Sequence, residues 1–65
     1  MQVVVNGELT KIADAITIAE LLEQLEIEGK IAVELNQAII PKSLHKSTKL
    51  QDNDHIEIVN AIGGG

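Results

Sequence analysis

Cysteine is absent from these 65 residues, so neither a disulfide framework nor a Cys-based metal site can staple a chain close to the lower size limit for a self-sufficient core. Phe, Tyr and Trp are absent as well, which removes the aromatic platforms on which single-stranded bases stack. Positive charge is scarce: the formal net charge is −5, and phosphate backbones attract basic surfaces. Nucleic acid is therefore excluded as an expected partner. Long apolar runs are missing too. Met1-Gln2-Val3-Val4-Val5 has no basic flank and is too short for a signal peptide's apolar core, and nothing approaches a membrane span. By elimination the expectation is a cytoplasmic, soluble domain with no membrane partner.

What is present is aliphatic: ten Ile, seven Leu and five Val must make the core. Three consecutive valines favour a strand over Gln2 to Val5. Asn6-Gly7 follows, and both residues tolerate the positive φ that a two-residue hairpin turn demands. The chain then returns as a second strand over Glu8 to Ala13. Leu9 and Ile12 are its largest apolar residues, and they differ in parity, so the pattern leaves its buried face open. Thr17-Ile18-Ala19-Glu20 is a capping box, and Ile18, Leu21, Leu22 and Leu25 follow at i, i+3, i+4 and i+7 as one helical stripe. Gly29 is the expected left-handed stop, with Ile27 packed just inside it.

Ile31, Val33 and Leu35 alternate with Ala32 and Glu34, predicting a third strand. Asn36-Gln37 turns into a short strand, Ala38-Ile39-Ile40, which Pro41 ends. Lys42 to Lys49 reads as a polar, irregular or single-turn connection, anchored to the core by Leu44 or Leu50. Asp52-Asn53-Asp54 is a turn, and His55 to Ile62 the last strand. A hairpin, one amphipathic helix and a mixed sheet of about five strands make an α+β, β-grasp fold, with the first and last strands parallel and central. Residues 1–62 are expected to form one domain, and 63–65 a flexible glycine tail.

Catalytic machinery is sparse. Ser43 and Ser47 flank His45 two residues away on either side, with no third group and no oxyanion hole to complete a nucleophilic site. His45 and His55 with Asp52 or Asp54 match no metal-ligand spacing, and Asp-Asn-Asp is ordinary turn chemistry, so no metal is expected. Glu20, Glu23, Glu26 and Glu28 make an acidic helix surface, and Lys42, Lys46 and Lys49 a basic loop; each is read first as solvated, second as a docking surface. No signal marks an enzyme. What stands out is the run Gly63, Gly64, Gly65 directly after a core strand. Without side chains such an arm can pass a narrow channel and present a carboxylate, or it can be an idle frayed end.

The Asn6-Gly7 hairpin, Thr17-Ile18-Ala19-Glu20-Leu21-Leu22, Val33-Glu34-Leu35-Asn36 to Ile40-Pro41, Asp54-His55-Ile56-Glu57-Ile58-Val59 and the terminal Gly-Gly occur in an order that resembles the ThiS family. These are small ubiquitin-like sulfur carriers of thiamine biosynthesis. The resemblance spans the whole chain and implies a β-grasp fold. It also implies that the Gly65 carboxylate is adenylated by an E1-like, ATP-dependent adenylyltransferase. A persulfide sulfur donor then converts it to a thiocarboxylate, which supplies thiazole synthase. Gly64 and Gly63 would lie in the partner's channel, and the carrier itself binds no cofactor. Two alternatives stay open: a carrier like the small subunit of molybdopterin synthase, and a non-catalytic ubiquitin-like interaction module.

Overall fold

In the computed structural model, which describes residues 1–60, the valine run forms β1 (Gln2–Val5) and the Asn6-Gly7 turn returns it as β2 (Glu8–Lys11). Asn6 and Gly7 take φ of +50° and +85°, the left-handed pair that a type I′ turn requires. Helix α1 (Ile18–Gln24) follows, then β3 (Ile31–Leu35), β4 (Ala38–Ile40), a 3₁₀ turn at Lys42–Leu44 and β5 (His55–Asn60). The five strands form one sheet in the order β2-β1-β5-β3-β4. β1 and β5 are parallel neighbours, and every other pairing is antiparallel. This is the β-grasp arrangement, with the first and last strands adjacent near the centre.

The helix lies on one sheet face, and the core is what it covers. Val3 and Val5 of β1, Val33 of β3, and Ile56 and Ile58 of β5 meet Ile18, Leu21 and Leu22 of α1 in one buried cluster. Leu25 and Ile27 pack against its margin. The capping box is complete: Glu20 N–H donates to Thr17 Oγ1 at 3.1 Å and Thr17 N–H donates to Glu20 Oε1 at 2.8 Å. The parity left open in β2 is settled by register, because Leu9 pairs with Val4 on the uncovered face while Ile12, just past the strand, is buried.

Two boundaries differ from the sequence expectations. β2 stops at Lys11 rather than Ala13, since the chain must turn at Asp14 and Ala15 (φ +59°) to bring Ile12 inward and start the helix. The helix ends at Gln24, well before Gly29, and Glu26 (φ +58°) takes the left-handed position instead. Its reason is visible in the hydrogen bonds: Glu26 N–H donates to the Glu23 carbonyl and Ile27 N–H to the Leu22 carbonyl, both at 3.0 Å. That is a Schellman closure, which sets the apolar Ile27 against the last turn. Glu26 and Glu28 therefore lie beyond the helix, not along it. In the Lys42–Lys49 connection, expected to be anchored by Leu44 or Leu50, Leu50 (2% exposed) is the anchor and Leu44 (47%) is not. Expectations placed on Ile62, Gly63, Gly64 and Gly65 lie outside the described residues.

Candidate functional site

β5 is the last described element before the glycines in sequence, so whatever fixes β5 fixes the described end of the chain nearest to them. It lies between β1 and β3, and two asparagines add to the ladders. Asn36 opens the β3–β4 turn with φ of +50°. Its side-chain oxygen accepts from His55 N–H at 2.9 Å, and its amide nitrogen donates to Asp54 Oδ1 at 3.0 Å. Asn6 opens the β1–β2 turn with the same φ. Its Oδ1 accepts from Ile58 N–H at 2.7 Å, and its Nδ2 donates to the Ile58 carbonyl at 3.1 Å. Each turn thus grips the central strand sideways, Asn36 at its start and Asn6 toward its end.

The sheet face away from the helix is uncovered. Alternation and register place three rows there: Leu9, Val4 and His55; then Glu57, Glu34 and Ile39; then Val59 and Ala32. Leu9 and Ile39 are each 73% exposed and Val59 56%, a large share of apolar side chain in water for one small face. In the middle row Glu34 and Glu57 stand directly opposite one another, a like-charge pair that a sheet does not gain from. A shallow depression runs over these residues, lined by Ala32, Glu34, Gln37, Ile39, Glu57 and Val59. An apolar face whose acidic centre has no ion pair among the described residues suits a partner that brings aliphatic contacts and a cation.

Nucleophilic chemistry at Ser43, His45 and Ser47 does not assemble. His45, expected in a solvated loop, is buried, and its Nε2–H donates to the Ile40 carbonyl at 3.1 Å. The same residue's carbonyl accepts from Ala19 N–H, so it ties the loop to the first turn of α1. Ser47 Oγ donates to the Leu44 carbonyl at 3.3 Å. These groups are engaged in holding a loop. Glu20, part of the acidic surface read first as solvated and second as a docking surface, is engaged in the cap. Among the described residues no group of three or more His, Asp or Glu side chains could hold a metal ion, and no helix is long and apolar enough to cross a membrane. The site residues Gly63, Gly64 and Gly65 lie outside the described residues. Two features escaped the sequence reading: the uncovered face, for which only Ile56 and Ile58 alternating inward leaves Val59 outward as a signal, and the asparagine side chains, which read only as turn formers.

Comparison with known proteins agrees with this frame. The model of the ThiS family matches residues 3–65. The sulfur carrier protein ThiS of Escherichia coli is 35% identical over 66 residues, covering 100% of both chains. A thiazole synthase of Paramagnetospirillum magneticum is 41% identical over 66 residues. That match takes in 100% of this chain but only 20% of that protein, so this chain spans about a fifth of its length. The crystal structure of the thiamine biosynthesis protein ThiS from Geobacter metallireducens superposes with a TM-score of 0.89 at 29% identity, covering 100% of each chain. Strand order, helix placement and whole-chain similarity converge on one conclusion: the chain belongs to the ThiS family.

Proposed function

We propose that this ThiS-family sulfur carrier works through the carboxylate of Gly65. A carboxylate is a poor acylating agent. An activating enzyme of the E1-like adenylyltransferase kind supplies the leaving group: the carboxylate oxygen attacks the α-phosphorus of ATP, pyrophosphate departs, and a mixed anhydride with AMP results. A persulfide sulfur displaces AMP at the carbonyl carbon, and a thiol cleaves the resulting S–S bond to leave the thiocarboxylate. Thiazole synthase then takes the sulfur. The carrier contributes no general base and binds no cofactor; it contributes a reachable carboxylate, a docking face and a fixed origin for the arm. The reactions belong to its partners, and the cytoplasm is where we place them.

The observation that carries this reading is the match over the whole of both chains to the sulfur carrier protein of Escherichia coli. Three consecutive glycines at 63–65 suit it, because a backbone with no Cβ can lie in a channel too narrow for side chains. Thiazole synthase as receiver is supported by a domain like this one occurring within a Paramagnetospirillum magneticum protein of that name. The uncovered face gives both enzymes a surface: Leu9, Ile39 and Val59 for apolar contact, Glu34 and Glu57 for a basic side chain.

The test is pyrophosphate release with the cognate activating enzyme, beside a thermal melt of each variant. Deleting Gly65 draws the carboxylate back by about 3.3–3.6 Å, and misplacement by about 1 Å can cost on the order of a hundredfold in rate. Gly64→Val adds a branched side chain to the arm and is expected to be slower still. Both variants should melt with the wild type. Wild-type rates in both, with unchanged melts, would contradict the assignment of Gly65.

A further inference from the structure

β1 reaches β5 through only two paired positions, Val4 with His55 and Val5 with Ile56. Beyond Val5 the backbone turns away into the Asn6-Gly7 hairpin, after a last bond from Asn6 N–H to the Ile56 carbonyl at 2.9 Å. Ile58, two residues further along β5, therefore points its N–H and carbonyl toward a side of the sheet where no strand remains. Residues of β5 that face β3 alternate with it, so β3 cannot serve these two groups. The Asn6 carboxamide serves both. It carries one donor and one acceptor in a plane, as a peptide unit does, and continues the β1–β5 ladder one step after the strand has left.

We propose that Asn6 is a positioning residue for the sulfur-transfer chemistry: its carboxamide holds the end of β5 and so sets where the arm toward Gly65 begins. The proposal rests on the carrier reading given above. Gly65 lies only five positions beyond Asn60 in sequence, so the direction in which β5 is held at Ile58 sets the origin of a short span to the reacting carboxylate. On the β3 side the ladder continues to the pair Ile31 and Asn60; on the β1 side, among the described residues, the Asn6 carboxamide holds the strand past Ile56. Losing it leaves β5 past Ile56 secured, among the described residues, on the β3 side.

The matched control is already in the molecule. Asn36 has the same φ and makes the same kind of side-chain grip, but on His55, where β5 starts. Asn6→Gly and Asn36→Gly both keep a residue that accepts positive φ, so both turns survive while each carboxamide is lost. Two readouts on the full chain decide the matter. In amide hydrogen exchange, Asn6→Gly is expected to speed Ile58 at least about tenfold, as for a part-buried amide that loses its partner, and to leave the β5 amides facing β3 near wild type. In adenylation by the cognate activating enzyme with ATP, it is expected to lower kcat at least about tenfold with KM for the carrier unchanged, because the docking face is untouched. Asn36→Gly, although it too removes a bond to β5, should leave kcat within twofold of wild type.

An unchanged Ile58 exchange rate in Asn6→Gly would overturn the grip itself. Faster exchange with kcat at the wild-type value, or an equal fall in kcat for both variants, would overturn the positioning role. Wild-type protein that is never adenylated would sink the carrier reading and this role together, and would be told apart by exchange data that still report the grip.

Discussion

Single residues in this chain do their work through backbone groups far away in sequence. Asn6 and Asn36 are legible as turn formers, since Asn tolerates positive φ, and Asn6 has the permissive Gly7 beside it, whereas Asn36 is followed by Gln37, which takes φ of +75° without being a residue that favours it. Their side-chain grips are not legible, because Ile58 lies 52 positions from Asn6 and no local pattern announces a partner at that distance. Glu26 is the converse case. It occupies the left-handed position that closes α1, where an L-residue is disfavoured by about 1–2 kcal/mol, and it places a negative charge at the helix end that already carries partial negative charge. Glu26→Gly relieves both effects, against about 0.4–1 kcal/mol of added freedom in the unfolded chain. We predict a net gain of about 0.5–1 kcal/mol, read as a higher urea midpoint with unchanged slope. A lowered midpoint would show that the Glu26 side chain makes a contribution the backbone geometry does not reveal.

At the scale of elements, α1 is the best-specified piece and its interior matches the sequence pattern closely. The stripe Ile18, Leu21 and Leu22 is buried, and Leu25 packs at the margin. Leu21→Ala is predicted to cost about 2–5 kcal/mol and Leu25→Ala distinctly less, because a cavity forms only where the neighbours enclose the missing atoms. Equal midpoints for the two variants in denaturant would mean the assigned face is rotated. Thr17→Ala should cost about 1 kcal/mol by opening the capping box. The helix end is less legible: Gly29 is the better left-handed residue by type, but closing the helix at Glu26 packs Ile27 against the core, and that is a tertiary preference. The polar connection takes the expected single turn, at Lys42–Leu44, and differs only in the burial of His45. His45 carries a polar label, yet one good carbonyl partner at Ile40 allows it to be buried, and the label hid a core position.

For the whole molecule, the order hairpin, helix, strands is enough to specify the β-grasp sheet, because the parallel β1–β5 pair follows once the helix must cover one face. The uncovered face is less readable from sequence, since Leu9 and Ile39 look like core residues until register sends them outward. On that face Glu57→Gln removes one member of the opposed Glu34–Glu57 pair. It is predicted to stabilise the fold by about 0.2–1 kcal/mol while weakening capture by a basic partner surface. Thermal melts paired with binding titrations at two salt concentrations would expose the opposite signs, and loss of stability in this variant would contradict the reading of the pair.

The central claim, that sulfur is carried as a thiocarboxylate on Gly65, is tested most directly by intact-mass measurement. The full chain is incubated with a cognate activating enzyme, ATP and a persulfide sulfur source, then weighed and fragmented. Replacement of one carboxylate oxygen by sulfur adds about 16 Da, and the account predicts that gain, confined to fragments that contain Gly65 and absent when ATP is withheld. An unchanged mass, or added sulfur on fragments without Gly65, would contradict it.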